Sequence, residues 1–302
     1  MNWFVFSVIA LLCWSGSDLF SKIGCRDSRD KYSHLKMVIA VGFVMGIHAL
    51  VEIIGGVEIS WSVIWTYLPV SLLYILSMVL GYVGLRYIEL SISSPICNSS
   101  GALVALITII TGGAADMVPI QFVAVGLVAL GVIALGFVDA NEDETLRAAR
   151  QEASNYKYAK SWLALALPIA YCILDAAGTF ADSLVLENLN EDSANVAYEL
   201  TFFAAGLFCF LYTLVIKEQK MERKLEVPKY VGAIFETAGQ LAYIYALADS
   251  EHVAMSAPII SAYCAASVLW SRLFLKEKLS WKHYAAIVVT VLGIVIMGVF
   301  DM

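Results

Sequence analysis

Apolar runs of about twenty residues, separated by short polar segments, recur along the whole chain. A bilayer's hydrocarbon core is about 30 Å thick, so a crossing helix needs about 20 mostly apolar residues. Ten runs meet that length: 2–24, 37–54, 64–88, 91–111, 118–138, 162–183, 195–216, 230–248, 253–275 and 283–300. They use roughly two-thirds of the chain and leave no room for an extramembrane domain. The pattern predicts an all-α integral membrane protein of ten transmembrane helices. The longest polar segment, Asp139 to Ser161, has room for one short surface helix. The first run carries Asp18 and no basic leader, and so reads as a retained helix rather than a cleaved signal. Pro119 and Pro228 sit near span starts, where a missing N–H costs nothing. Pro69 and Pro168 lie inside spans, where neighbouring helices re-satisfy the freed carbonyls.

Composition agrees. Of 302 residues, 60% are hydrophobic and 15% charged, and the mean hydropathy is +0.78. That deficit of charge excludes a disordered chain, a coiled coil and a nucleic-acid binder. The six cysteines have no paired spacing of the kind that marks a disulfide framework or a zinc site. Net charge is −7, and the 19 bases are informative by position. Lys22, Arg26, Arg29, Lys31 and Lys36 surround the first loop, and Arg86 ends span three. Arg147, Arg150, Lys157 and Lys160 fill loop 5–6. Lys217, Lys220, Arg223, Lys224 and Lys229 fill loop 7–8, and Arg272, Lys276, Lys278 and Lys282 surround loop 9–10. All fall on one side of a ten-span chain. The positive-inside rule makes that side cytoplasmic, puts both termini outside, and fits the cell membrane.

The chain also repeats. YVGLRYIELSISSPI overlies YALADSEHVAMSAPI, with Pro95 over Pro258, and VALGVIALGFVD overlies TVLGIVIMGVFD, with Gly131 over Gly293. Trp14 and Asp18 fall over Tyr171 and Asp175. Two five-helix units result, 1–139 and 162–302, joined by the polar connector 140–161. Five is odd, so the second unit inserts upside down relative to the first. Inverted repeats are a signature of secondary transporters, with the substrate near the midplane at the repeat interface.

At these residues the sequence resembles the EamA family of the drug/metabolite transporter superfamily. The best-matching stretch is 243–301, with its Ser-Ala-Pro helix start, FLKEKLSWKHY and a glycine-containing last span; CWSGSDLFSK looks like the family's first helix. The resemblance implies alternating access through a central cavity lined mainly by helices one, three, four, six, eight and nine. Spans five and ten are then peripheral, open to a homodimer contact. Relatives are generally drawn with cytoplasmic termini, whereas the bases here argue the reverse.

A carboxylate at the centre of a span costs roughly 2.5–3.5 kcal/mol on insertion scales, so such residues usually face protein or water. Asp18, Glu52, Asp175, Glu199 and Glu236 qualify, with Asp182 nearer an end. Asp18 shares a face with Trp14; the competing reading is an i,i+4 pair with Lys22. Asp175 shares a face with Tyr171 and Thr179, against a structural hydrogen bond to a neighbouring helix. Glu236, Gln240 and Tyr243 form a stripe that packing does not require. Glu199 and Glu52 read as snorkelling to their near end, and His48 stands alone. Aromatics recur on the cavity spans, at Trp14, Tyr67, Tyr74, Tyr82, Tyr171, Tyr243, Tyr245 and Tyr263, either as packing or as ring faces for an ammonium group. Spans four and nine open with small residues; Asn98 lies with Ser94 and Gly101, and Tyr263 with Ser256 and Ser267, as packing or as substrate contacts beside a proline-loosened gate.

These residues predict a secondary transporter of a small polar or cationic organic molecule. Trp14, Asp18, Tyr74, Asn98, Tyr171, Asp175, Glu236, Gln240, Tyr243 and Tyr263 would bind it. Asp18, Asp175 and Glu236 would exchange protons for it. The alternative is an exporter or facilitator of neutral metabolites, amino acids or nucleosides, in which the acids are structural. No ATP-binding loop, metal-ligand spacing or catalytic histidine set is present, so neither a cofactor nor an enzymatic activity is expected.

Overall fold

A computed structural model describes residues 2–25, 27, 30–87, 90–112, 117–140, 162–276 and 279–300. Residues 141–161 of the connector, and Arg26, Arg29 and Lys278 among the bases elsewhere, lie outside that set. Among the described residues every regular element is a helix. They are α1 (Trp3–Cys25), α2 (Ser33–Gly55), α3 (Trp61–Tyr87), α4 (Leu90–Asn98), α5 (Ser100–Ile110), α6 (Pro119–Ala140), α7 (Trp162–Leu186), α8 (Glu191–Phe210), α9 (Arg223–Leu247), α10 (Val253–Ser261), α11 (Tyr263–Phe274) and α12 (Trp281–Phe300). Helix α8 continues through a π-helical stretch, Leu211–Ile216, and a 3-10 turn, Ser250–His252, precedes α10.

Nine spans among the described residues are long and apolar enough to cross a membrane, α4–α5 counting as one and the 3-10 turn with α10–α11 as another. The predicted span 230–248 is the exception. Its helix, α9, is 25 residues long, but Arg223, Lys224, Glu226, Lys229 and Glu236 lower its apolarity. Ends are set by local chemistry. Asn190 caps α8 by accepting from the backbone N–H groups of Asp192 and Ser193. Gly56 ends α2 at φ 107°, a left-handed conformation that glycine adopts without a Cβ penalty.

The predicted spans four and nine are not continuous. Each breaks four residues after its proline. Ser99 N–H bonds both the Pro95 and Ile96 carbonyls, and Ala262 N–H bonds both the Pro258 and Ile259 carbonyls. The break residues share one conformation, φ −63° and ψ −8° at Ser99 and φ −68° and ψ 1° at Ala262. At each break the turn tightens towards 3-10 geometry, one N–H being shared between two carbonyls.

Packing follows one scheme. Helix α1 lies along α9 and α3 along α7, while α2 pairs with α8 and α6 with α12; α5 meets α10 and α4 meets α11. Exchanging the first five predicted spans for the last five leaves this list unchanged. Glycines set the closest crossings. A Cβ on Gly42 of α2 would stand 2.7 Å from the Phe202 carbonyl and 3.0 Å from Gly206 Cα of α8. One on Gly131 of α6 would meet the Ala286 carbonyl at 2.9 Å, and one on Gly293 of α12 the Ala124 carbonyl at 2.7 Å. Such small-residue contacts let backbones approach in lipid, where no hydrophobic force drives helices together. The outside is apolar, as a lipid-facing surface requires: Phe43, Ile47, Leu50, Val51 and Ile54 of α2 are exposed. Trp61 and Trp281 are exposed at the first residues of α3 and α12, where an interfacial aromatic belt belongs.

These crossings predict that Gly42→Val destabilises the protein by about 1–3 kcal/mol, the usual cost of overpacking. Gly126, which has nothing within 4 Å of its Cβ position, is the control. Thermal unfolding in detergent should separate the two variants, and equal midpoints would show that the α2–α8 crossing tolerates a side chain.

Candidate functional site

The break in α4–α5 and the facing helices enclose a cavity of about 80 Å³. By water-sized volume, that is room for roughly six heavy-atom groups. Its walls come from α1, α3, α4, α5, α7, α9, α10 and α11, the spans that the resemblance implies, and also from α8 through Tyr198.

All ten residues expected to bind lie on these walls. Asp18 comes from α1, Asp175 from α7 and Glu236 from α9, and each is half-buried where it faces the cavity. Among the described residues no lysine, arginine or histidine lines it. Asp18 Oδ2 accepts from Ser94 Oγ at 2.7 Å and from Ser267 Oγ at 2.9 Å. Asp175 Oδ2 accepts from Ser100 Oγ at 2.7 Å. Each aspartate is thus held by a hydroxyl from a broken helix. The Asp18–Lys22 pair does not form: Lys22 Nζ reaches the Leu85 carbonyl at 3.4 Å, and Asp18 has no ion-pair partner among the described residues.

The aromatic walls are placed by glycines. Gly239 of α9 makes room for the Trp14 indole, with Nε1 2.6 Å from where a Cβ would stand, and Gly81 of α3 does the same for the Tyr171 ring at 3.0 Å. Trp14 packs on Tyr243 at 5.0 Å between centroids and meets Tyr263 edge-on at 5.9 Å. Among the described residues, four donors on the walls have no hydrogen-bond partner: Trp14 Nε1, the Ser21 and Tyr82 hydroxyls and Gln240 Nε2. A buried donor left unpaired costs about 1–3 kcal/mol, so these atoms call for an acceptor from water or ligand. Asn98 is spent locally, donating to the Ser94 carbonyl at 2.8 Å and the Ser94 hydroxyl at 3.2 Å.

Several residues behave differently from their sequence reading. Tyr67 and Tyr245 leave the cavity: Tyr67 is fully buried against Asp182, and Tyr245 donates to Asp192. Glu199 does not snorkel. It is fully buried and meets His48 Nδ1 at 2.9 Å, across the α2–α8 contact, so His48 is not alone. Glu52 stands one turn on, 3.6 Å from His48 Nε2. The serines that hold the aspartates, Ser100 above all, were legible only as small residues, because apolar periodicity does not show which hydroxyl meets which acid. Asp182 was read as lying near an end, yet it has no exposure at all.

Beyond the Ser21–Leu85 end of the cavity, four charges are buried together. Lys229 Nζ lies 3.1 Å from Asp30 and 3.2 Å from Glu226, and Lys36 Nζ lies 3.0 Å from Asp30 and 3.5 Å from Glu226. The quartet is neutral and ties the first loop and α2 to the start of α9.

Residues 162–299 match the EamA-like transporter family. No curated protein matches the sequence. By fold, 24 solved chains match. One, described only as a crystal structure of protein, superposes with a TM-score of 0.67 at 13% identity, covering 99% of this chain and 97% of its own. At that identity the likeness establishes the fold and nothing more.

Lys229→Met removes one of the two lysines and leaves Lys36 as the cation that Asp30 and Glu226 share among the described residues. The expected loss is about 3–5 kcal/mol, read as a fall in the thermal midpoint in detergent. Adding Glu226→Leu restores charge balance and should recover much of that loss. A Lys229→Met protein as stable as the parent would remove the quartet from the energetics.

Proposed function

We propose that this multi-pass membrane protein, whose residues 162–299 match the EamA-like transporter family of the drug/metabolite transporter superfamily, is a secondary transporter of a small organic cation, coupled to protons. One observation carries the cargo class: three carboxylates face one cavity that no basic side chain lines among the described residues. A desolvated ammonium or amidinium group neutralises carboxylates there, and the faces of Trp14, Tyr171, Tyr243 and Tyr263 attract it further. Protons are the natural exchange partner, because a carboxylate that loses its cation in such a site recovers neutrality by protonation.

Ten crossings in two inverted halves remain part of this reading. It is supported by the interchangeable packing scheme, the matching breaks at Ser99 and Ala262, and the paired cradles of Trp14 on Gly239 and Tyr171 on Gly81. On the same reading the base-rich ends face the cytoplasm of a cell membrane, and the outer faces of α6 and α12 are open to a second copy.

A neutral cargo has one observation in its favour. The unpaired donors of Trp14, Gln240 and Tyr82 suit a ligand with acceptor atoms, and the serine-bound aspartates would then be structural. The two cargo classes separate in a thermal-shift series with choline and 1,4-diaminobutane against serine, uridine and glucose. The cation reading expects stabilisation by a cation and none by the neutral compounds; the reverse order would replace it.

For the bound cation, Asp175→Asn should weaken affinity at least about 30-fold, the loss of one buried charge pair. In proteoliposomes the double variant Asp175→Asn, Glu236→Gln should abolish substrate-dependent proton movement. Unchanged proton movement would take both acids out of the coupling. Orientation has its own check: a cysteine placed at Gln219 should resist an impermeant thiol reagent added outside intact cells, and external labelling would invert the topology.

A further inference from the structure

Next to the cavity, and outside the set of acids considered so far, α7 carries Asp182. It has no exposure, and it makes no ion pair among the described residues. What surrounds it is hydroxyl. Tyr67 OH donates to Oδ1 at 2.7 Å, and Tyr74 OH approaches Oδ2 at 3.4 Å. Tyr74 also reaches Thr179 Oγ1 at 3.2 Å and is in close contact with the Tyr243 hydroxyl. Tyr74 and Tyr243 line the cavity, while Tyr67 is sealed behind them. The hydroxyls therefore form a continuous path from the cavity wall to a buried carboxylate.

Hydrogen counting gives this path two arrangements. Tyr74 has one hydroxyl hydrogen and three neighbouring oxygens, on Thr179, Asp182 and Tyr243. With Asp182 ionised, that hydrogen belongs on Oδ2, because a buried charge without a cation depends on its donors. With Asp182 protonated, the acid itself is a donor, and Tyr74 is released to Thr179 or Tyr243. The change redistributes bonds among α3, α7 and α9, three helices that build the cavity.

We propose that Asp182 is a proton-carrying residue of this transporter, loaded from the cavity through the hydroxyls of Tyr74 and Tyr243, and that its protonation state sets how α3 and α9 are tied to α7. One proton enters from cavity water as Tyr74 accepts it and passes its own hydrogen to Oδ2; the tyrosine ends unchanged, and Asp182 ends neutral. The other groups facing this cluster are accounted for. Tyr198 of α8 packs edge-on to Tyr74 at 6.0 Å. Asp175 lies two turns away on α7 with its own donor, Ser100. The 3-10 turn that α7 also meets keeps His252 against Asp249 at 2.7 Å.

The proposal rests on the proton-coupled reading above, but its test needs no cargo. Infrared spectra of the purified protein are recorded from about pH 5 to about pH 9, and the stretching band of a protonated carboxyl is followed. The expected result is a titrating band that persists in the triple variant Asp18→Asn, Asp175→Asn, Glu236→Gln and disappears in Asp182→Asn. In Tyr67→Phe, which keeps the acid but removes one donor, the band should remain, shifted in frequency and in midpoint. Should Asp182→Asn fold poorly, that tyrosine variant is the deciding measurement. A band untouched by Asp182→Asn, or by Tyr67→Phe, or none that titrates in the triple variant, would overturn the inference while leaving the cargo experiments to judge the cation reading separately.

Discussion

Lipid offers no hydrogen bonds, and so a polar atom that this chain carries into the membrane must be answered within its own helix, from a neighbouring helix or by what fills a cavity. That constraint explains how the interior is arranged. Serines account for much of the buried polar inventory. Many of their hydroxyls return to a carbonyl three or four residues back, as Ser7 does to Trp3 and Ser15 to Leu12. The exceptions are the ones with consequences. Ser94, Ser100 and Ser267 turn to a carboxylate on a different helix. A polar group free to satisfy itself locally, and found reaching across instead, marks where the structure spends its specificity.

The same constraint sorts the acids. Asp30 and Glu226 are answered by lysines, Glu199 by His48, and Asp182 by tyrosines. Asp18, Asp175 and Glu236 have no ion partner among the described residues and stand together at an open volume. Stability gives no reason to gather three like charges around a void. On the proposed cation reading their arrangement is a standing demand for positive charge, and Asp182, in the proton-carrying role proposed for it, would meet that demand between cargoes.

How much of this was legible in the sequence follows from range. Apolar run length found the nine helical spans that are long and apolar enough to cross a membrane among the described residues, because the bilayer imposes one length on all of them; the tenth run, 230–248, is a helix that falls short of that apolarity. The acids and aromatics on the cavity walls were legible too, since an acid in an apolar run announces itself and i, i+4 spacing assigns its face. What could not be read was pairing. Glu199 and His48 are 151 residues apart, and Tyr67 and Asp182 are 115 apart; neither partner carries a local sign of the other. Depth misled as well. Asp182 lies only four residues from the end of α7, and distance from a helix end is a poor guide to burial when a neighbouring helix covers that end. Lys229 is the converse case: it reads as part of a loop, yet with Glu226 it is buried in the lysine–carboxylate quartet, while Arg223 and Lys224 at the start of α9 stay exposed.

The two proline breaks join these threads. Ser99 and Ala262 hold their helices bent in one conformation, and the two broken helices face each other across the bundle. Ser94 lies before the first break and Ser100 after it, and each holds a different aspartate. Any change in angle at Ser99 therefore moves the partners of Asp18 and Asp175 relative to one another. Ser267, beyond the second break, shares Asp18 with Ser94, so the second hinge is coupled to the first through one carboxylate. A cation seated between the aspartates competes with those hydroxyls for the same oxygens. Binding and bending thus draw on one set of lone pairs, which is the physical requirement for a cargo to influence the shape of the cavity that holds it.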